Sequence, residues 1–373
     1  MEFIYGIGTY VLPFLGVLTV LVFVHEMGHY LAARQCGVRI EVFSVGFGPE
    51  IFGRNDRHGT RWKFSAIPFG GYVRMFGETG PGANENGAAQ NAADRAVSFY
   101  AKRLRQRAWI VFAGPLANFL FAILLLAGLF TFLGQPFTPP DVGKVVPGSA
   151  AERAGLQPGD LFVRIGSVDI ERFEQVRAIV QLAPEKPLVI VVRRDGREVT
   201  LTAIPDAIEI TQFGSTQRIG RLGVSRTGGD MILKRYDPFT AIWHATGRTL
   251  SITGSILEAL GQIIFGDRTA KELGGPVRIA QISGDMAQAG LVMIIQFAAI
   301  LSINLGLINL FPVPLLDGGH LAFYAVEAVR GRPLGDRVMG YSLNFGLALI
   351  LGLTLFVTWN DLVQLRVFEY LLS

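Results

Sequence analysis

Cysteine and charged residues are both scarce in this chain of 373 residues. Its only cysteine is Cys36, which excludes a disulfide framework and a cysteine-based metal site, and we expect Cys36 to be an inert, small apolar residue. Charged residues make up 17% of the sequence and hydrophobic residues 50%, and the mean hydropathy is +0.39. This balance is unusual for a soluble globular protein.

Four uncharged stretches are long enough to cross a hydrocarbon core of about 30 Å as helices. They cover residues 7–24, 108–134, 290–316 and 338–359. Helices buried in a soluble core are the alternative, but four such runs in one chain favour a membrane protein. The first stretch has no basic leader and no small-residue cleavage site, so we interpret it as a retained span and not as a signal peptide.

The basic residues are concentrated in the short segments between these spans. Residues 31–107 contain twelve Lys or Arg against six Asp or Glu, and Arg330, Arg332 and Arg337 follow the third span. Short basic loops stay in the cytoplasm. The pattern therefore predicts that both termini and the long 135–285 segment lie outside. It also accounts for the net charge of +4 without a nucleic-acid partner.

Between the spans, the sequence alternates β-forming runs with turn residues. Residues 37–76 predict β-hairpins, and their apolar character favours a re-entrant position against the helices. The polar, Gly- and Asn-rich segment 78–95 predicts a flexible loop. Residues 138–226 predict a compact α+β domain with strands near 142–146 and 218–226, a helix over 173–182 and a hairpin at 194–196, where Asp-Gly marks the turn.

Residues 238–265 repeat apolar side chains at helical spacing. Phe239, Trp243 and Leu250 belong to this pattern, while His244, Arg248 and Glu258 interrupt it. We predict an amphipathic helix on the outer membrane face, followed by a linker to residue 285. A fifth span is the alternative, which would reverse the topology derived above.

The first span runs directly into the motif HEMGH at residues 25–29. On a helix His25 and His29 lie one turn apart, so both imidazoles can reach one metal ion. Glu26 is then placed as the general base for a water molecule activated by zinc. A solvated helix end with these residues by chance is the alternative, but titratable groups within the bilayer are costly unless they are paired or bind an ion.

Zinc needs a third protein ligand, and the far end of the third span supplies a candidate. Asp317 follows Pro312 and Pro314, which break the helix, and the topology places it at the same cytoplasmic depth as His29. A helix N-cap is the alternative role for Asp317. His320 is expected to face elsewhere or to support the ligands. His58 and His244 are assigned no role.

These residues resemble the site-2 protease family of intramembrane zinc metalloproteases, most closely the bacterial regulator of sigma-E protease type. HEMGH and NLFPVPLLDGG (residues 309–319) match the two motifs of the family. The resemblance implies that His25, His29 and Asp317 bind Zn²⁺ and that Glu26 is catalytic. It also implies that Asn309 handles substrate near the metal. GPLAN (residues 114–118) and GGPV (residues 274–277) also look like the pattern of the family.

We further predict substrate contacts at Pro312 and at the hairpin glycines Gly46, Gly48, Gly70 and Gly71. The stretch PGSAAERAGLQPGD (residues 147–160) resembles a bacterial PDZ domain, which would bind a peptide C-terminus or exclude bulky ectodomains. Proteobacterial members of the resembled family carry two such domains in tandem, whereas this chain has room for one.

The predicted fold is a four-span α-helical membrane protein with membrane-associated β-hairpins and an inserted α+β PDZ domain. The predicted segments are 1–35, 36–107, 108–134, 138–226, 238–285, 286–335 and 338–360. The resemblance implies a multi-pass protein of the bacterial inner membrane that cleaves single-span membrane proteins, such as anti-sigma factors or signal-peptide remnants, in a stress response.

Two other classes of protein predict different sequence features. A metal-dependent transporter predicts titratable groups along a path through the bilayer, whereas here they cluster at one depth. An inactive PDZ-bearing scaffold predicts a lost Glu or His, and the HEMGH motif is complete.

Overall fold

The computed structural model describes residues 7–77, 92–137, 139–212, 215–225, 232–265 and 274–364. The chain forms two compact units. One contains Met1–Gly128 together with Pro238–Ser373, and the other contains Leu129–Asp237. They are called the helical unit and the inserted unit below.

A π-helical turn at Ile7–Val11 leads into the first of ten α-helices among the described residues. The helices are α1 Leu12–Gln35, α2 Ala92–Val97, α3 Leu104–Phe132, α4 Ala150–Arg153, α5 Phe173–Gln181, α6 Pro238–Ile264, α7 Pro276–Gln288, α8 Leu291–Asn309, α9 Asp317–Arg330 and α10 Asp336–Gln364. The strands are β1 Ile40–Asn55, β2 Arg61–Met75, β3 Gln135–Phe137, β4 Lys144–Val145, β5 Leu161–Ile165, β6 Val168–Asp169, β7 Leu188–Arg194, β8 Arg197–Ala203, β9 Asp206–Gln212, β10 Ser215–Arg221, β11 Val224–Ser225 and β12 Ile232–Lys234.

Among the described residues, four helices are long and apolar enough to cross a membrane, the number predicted from the sequence. These segments are Gly8–Gln35, Leu104–Phe132, Leu291–Asn309 and Arg337–Val363. The third helix is shorter than the predicted 290–316 stretch, because α8 ends at Asn309 and the chain turns through Pro312 and Pro314 before α9 begins. A proline inside a helix removes a backbone hydrogen bond and clashes with the preceding turn, so two prolines close together favour the end of a helix.

Two predictions about the segments between the spans were wrong in part. The predicted flexible loop 78–95 contains a short helix, α2, from residue 92, while residues 78–91 lie outside the described residues. The predicted linker before the third span contains α7, which starts with Pro276 at its first position. Asp361 of α10 accepts hydrogen bonds from the backbone amides of Gly275 (2.9 Å) and Arg278 (3.0 Å) and so caps α7 from another helix.

The hairpin region is one long bent hairpin in which β1 and β2 pair antiparallel with several register shifts. Val42 is partnered by both Arg61 and Arg74, and Val45 by both Phe64 and Gly71. The 42–45 segment therefore lies between 61–64 and 71–74, and the segment from Gly71 onward forms an edge of the sheet within the described part of the chain. This sheet packs on α1, where Tyr30, Phe43 and Trp62 form an aromatic cluster.

The inserted unit is built around a four-stranded sheet of order β6-β5-β7-β8. Its hairpin between β7 and β8 turns at Asp195 and Gly196, both with positive φ, at the predicted position. Helix α5 coincides with the predicted 173–182 helix except at its last residue. The hairpin formed by β9 and β10 was not predicted from the sequence. The core of the inserted unit contains the fully buried side chains of Val142, Phe162, Ile190 and Val192.

Helix α6 is continuous over Pro238–Ile264 and is not one of the four helices with the length and hydropathy of a span. Its buried residues Ala241, Ala245 and Thr249 form one narrow stripe, and the helix packs on α8. Phe239 and Trp243 are strongly exposed. The position of α6 at the membrane surface stays a prediction.

Candidate metal centre

The HEMGH motif lies in the C-terminal half of α1, and its two histidines are buried at 8% exposure each. Because they are one helical turn apart, their rings meet edge to face, and His25 Nε2 lies 3.2 Å from His29 Nε2. The structure therefore brings the two predicted imidazoles to one point.

Asp317 reaches the same point from the other end of the chain. Its Oδ2 lies 3.1 Å from His25 Nε2 and 3.5 Å from His29 Nε2. Apart from these two ring nitrogens, Oδ2 has no hydrogen-bond partner among the described residues, although it is buried. Asp317 is the first residue of α9, Leu316 holds the N-cap position, and no side chain caps this helix. The alternative role as a helix cap is therefore wrong.

The three donor atoms fit a zinc ion. They form a triangle with edges of 3.1, 3.2 and 3.5 Å, whereas two ligands of a tetrahedral zinc are separated by about 3.4 Å when each lies ~2.0–2.1 Å from the metal. His29 Nδ1 lies 2.9 Å from the carbonyl oxygen of Ile110 and donates to it, which leaves the Nε2 lone pair free for a metal. His25, His29 and Asp317 are the only such cluster found among the described residues.

Glu26 lies beside this triangle and against the hairpin edge. Its carboxylate accepts a hydrogen bond from the backbone N–H of Val73. It also lies close enough to both histidines and Asp317 to interact with their charges. A side chain at Gly71 would begin 3.3 Å from Glu26 Cγ. The absence of a side chain at Gly71 therefore lets β2 lie close to the carboxylate.

Helix α3 packs directly against the part of α1 that carries the two histidines, a contact that was not predicted from the sequence. A Cβ at Gly28 would collide with the carbonyl oxygen of Ala113, and a Cβ at Gly114 would collide with the His29 ring at Nε2. Asn118 of the same helix is fully buried beside His25. The GPLAN motif was the available signal, but its role needed the positions of both helices.

The turn between α8 and α9 is held by glycines. A Cβ at Gly318 would collide with the carbonyl oxygen of Leu310, and one at Gly319 with that of Val313. Asn309 is the last residue of α8 and Pro312 lies inside the turn. The glycines of the LDGG sequence thus allow the tight packing that places Asp317.

The four hairpin glycines lie where β1 and β2 change register. Gly46 has φ +93°, and a Cβ there would lie 2.9 Å from the carbonyl oxygens of Ser65 and Ile67. Gly48 and Gly70 also have positive φ, of +84° and +129°, and a Cβ at Gly70 would collide with the Phe47 ring. These contacts give the glycines a structural role in bending the sheet, and substrate contact stays a prediction for them.

The remaining histidines lie outside the triangle. His58 is in the loop between β1 and β2, and His244 is on α6. His320 lies one turn after Asp317 and packs edge-on against Phe323. None of the three belongs to the metal-binding cluster.

Comparison with known proteins gives matches over most of the chain. The model of peptidase family M50 matches residues 13–353. A protein of Agrobacterium fabrum named as a candidate zinc metalloprotease is 44% identical over 362 residues, covering 95% of this chain and 96% of that protein. Metalloprotease MmpA of Caulobacter vibrioides is 38% identical over 381 residues, covering 95% and 96%. A candidate zinc metalloprotease of Rickettsia conorii is 34% identical over 358 residues, covering 95% and 99%.

These relatives match nearly the whole chain, including both helices that carry the triangle. Together with the four apolar helices, they identify a multi-pass membrane enzyme whose cofactor is zinc. The chain belongs to peptidase family M50, the site-2 protease family of membrane zinc metalloproteases.

Proposed function

We propose that this enzyme is an endopeptidase that cleaves single-span membrane proteins within or beside their transmembrane segments. The observation that carries the proposal is the meeting of His25, His29 and Asp317 at 3.1–3.5 Å on helices that belong to candidate spans or directly follow one. A site of this kind can reach only peptide bonds that enter the space between the helices.

In this proposal His25, His29 and Asp317 hold the zinc, which supplies Lewis-acid chemistry when bound. The Glu26 carboxylate accepts a proton from the attacking water, whose oxygen bonds to the scissile carbonyl carbon. When the C–N bond breaks, Glu26 passes that proton to the leaving amine. The contact between Glu26 and the Val73 backbone fixes the carboxylate beside the triangle.

The hairpin edge next to Glu26 is the proposed binding place for an unwound substrate segment. An extended peptide can add to a free sheet edge through main-chain hydrogen bonds, which demands little of its sequence. The segment from Gly71 to Val73 supports this role because it forms an edge and lies against Glu26. Asn309 and Pro312, at the end of α8 and in the turn before Asp317, would hold the other side of the substrate.

The inserted unit is proposed to be a PDZ domain over residues 138–226. It contains a cavity of 760 Å³ between α5 and the segment 219–225. Val146, Val176, Val180 and Leu222 give it an apolar lining, and Arg177 and Arg221 border it. The predicted groove lay between residues 142–146 and α5, but of 142–146 only Val146 lines this cavity, and residues 219–225 form the wall opposite α5. An apolar C-terminal residue with its carboxylate fits this lining; exclusion of bulky ectodomains is the other use.

The proposed setting is the bacterial inner membrane, with the metal site near the cytoplasmic side and the inserted unit outside. Short basic segments next to the spans support this orientation. Anti-sigma factors and signal-peptide remnants are the proposed substrates, through the resemblance to the regulator of sigma-E proteases.

The test is co-expression of the enzyme with a panel of tagged single-span proteins, comparing the unchanged chain with Glu26→Gln. We expect the variant to keep bound zinc and to lose cleavage by a factor of at least about 100. Glu258→Gln, an exposed carboxylate on α6, is the matched control and should cleave normally. Cleavage by Glu26→Gln at the normal rate would contradict the proposed base.

A further inference from the structure

The GPLAN motif on α3 contains a buried side chain that the proposed reaction does not use. Asn118 has 0% exposure, and its Nδ2 lies 3.2 Å from His25 Nδ1. Its Oδ1 is also buried and has no hydrogen-bond partner among the described residues. A buried amide oxygen without a partner is costly, so its presence beside a metal ligand calls for a reason.

The chemistry of His25 supplies that reason. Its Nε2 faces His29 and Asp317, so Nε2 is the nitrogen that can hold a metal. A neutral imidazole has one N–H, and a ring that binds metal through Nε2 must carry its proton on Nδ1. That N–H needs an acceptor, and the hydrogen bonds of the described residues give His25 Nδ1 one partner, the Asn118 amide.

An amide can serve both protonation patterns of the ring. When the proton is on Nε2, directed at Asp317, the Asn118 NH₂ group donates to Nδ1. When the proton is on Nδ1, a half-turn of the amide presents Oδ1 as the acceptor, because the amide oxygen and nitrogen have nearly the same shape. Neither an apolar side chain nor a lysine can do both.

We propose that Asn118 is a positioning residue for zinc binding, whose amide oxygen accepts the Nδ1–H of His25 and thereby fixes the tautomer and the ring direction that leave Nε2 available to the metal. This inference rests on the proposed ligand set of His25, His29 and Asp317. It adds a residue from a third helix to a centre otherwise built by α1 and α9.

The backbone around Asn118 is held independently of its side chain. Ser302 of α8 donates from its Oγ to the Asn118 carbonyl oxygen at 2.8 Å. Asn118 thus lies between the helix that carries the imidazoles and the helix that leads to Asp317. A change of the Asn118 side chain alone leaves this link between α3 and α8 in place, so its effect on zinc can be separated from an effect on helix packing.

The experiment measures zinc affinity of the full chain in detergent, by competition with a chromophoric chelator. Asn118→Leu keeps the size of the side chain and removes the acceptor, and we expect zinc affinity to fall about 10- to 100-fold. Asn118→Asp keeps an acceptor at the same place and should retain affinity to within about fivefold. The absorption spectrum of the Co²⁺-substituted protein should change in Asn118→Leu and return toward the unchanged form in Asn118→Asp.

Ser302→Ala is the matched control, because it removes a buried hydrogen bond of the same residue without touching the imidazole. It should lower the melting temperature but leave zinc affinity and the Co²⁺ spectrum unchanged. If Asn118→Leu does not fold, Asn118→Ser replaces it, since a hydroxyl on the shorter side chain does not reach Nδ1 and should lose affinity to the same extent.

Two outcomes overturn the inference: a folded Asn118→Leu protein with unchanged zinc affinity, or equal losses in the Leu and Asp variants. His29→Ala and Asp317→Ala, measured in parallel, separate this failure from that of the proposed function. If they lose zinc while Asn118→Leu keeps it, only the role of Asn118 is wrong. If they keep zinc, the ligand set itself is wrong.

Discussion

The buried polar groups of the metal centre in the helical unit and those of the inserted unit differ in how fully they are paired. In the helical unit the buried His25, His29 and Asn118 converge on one point, and one oxygen of Asp317 there has no further partner among the residues that the structure describes. In the inserted unit the buried Asp160 is fully paired, with Arg194 and with a backbone amide, and its cavity lies apart from this pair.

This difference separates function from stability. Around the metal centre the same residues pack the helices together and keep the ligand atoms available to the metal. A substitution there should therefore reduce zinc affinity more than it reduces the stability of the fold. In the inserted unit a change of the paired residues should cost stability alone. Variants of buried residues in each unit test this difference.

The largest effect is expected at Gly114. Gly114→Ala places a methyl group against His29 Nε2, the nitrogen that faces Asp317, so the ring must turn away from the metal position. We expect zinc affinity to fall on the order of 100-fold or more, with loss of cleavage. Zinc retention after dialysis measures this.

Gly128→Ala is the control on the same helix, because a Cβ there meets nothing within 4 Å. It should bind zinc normally. Normal zinc binding by Gly114→Ala would mean that α3 can move away from His29, so that zinc binding does not depend on the close packing of the two helices.

The next effect is expected at the ion pair that joins α3 to α9. Arg107 Nη2 lies 2.5 Å from Glu327 Oε1, with side-chain exposures of 9% and 16%. Arg107→Met leaves Glu327 with a largely buried, unpaired charge, and we expect a loss of about 3 kcal/mol in the free energy of unfolding. Thermal unfolding in detergent measures it.

The double variant Arg107→Met, Glu327→Met should recover most of that loss, because both charges leave together. Since Glu327 shares α9 with Asp317, the single variant should also weaken zinc binding. A double variant as unstable as the single one would show that packing, and not charge pairing, holds α9 on α3.

The smallest effect is expected at Asp160 in the inserted unit. Burial by itself would raise the pKa of Asp160, but hydrogen bonds from Arg194 and the Gln157 amide outweigh it and hold the pKa below its ordinary value. The folded pKa is depressed, so this stabilisation is present above the unfolded pKa of ~3.9 and is lost as the pH falls through the folded value.

Asp160→Asn should therefore lower the stability of the inserted unit by about 2 kcal/mol at pH 7, with zinc binding unchanged. The difference between variant and unchanged chain should shrink below about pH 4. Hydrogen exchange of the amides of β5 and β7 in the full chain measures both. A pH-independent difference would assign the effect to geometry and not to charge.

The features predicted correctly from the sequence are those set by local pattern. Uncharged runs determined four apolar helices because their length alone matches a bilayer. The spacing of His25 and His29 determined that they share a helix face, since the α-helical repeat fixes it. Pro312 and Pro314 marked the break before Asp317, although the helix ends earlier, at Asn309.

The meeting of Asp317 with His25 and His29 was predicted from the sequence, but the other contacts between distant parts of the chain are seen in the folded structure alone. The contact of Gly114 with His29, the partnership of Asn118 with His25 and the edge position of Val73 beside Glu26 all join residues on separate elements. Hydrophobic pattern specifies which face of a helix is buried, but not which atoms of a distant helix it meets. That depends on crossing points, and here glycines such as Gly28 set them because their missing side chains allow close approach.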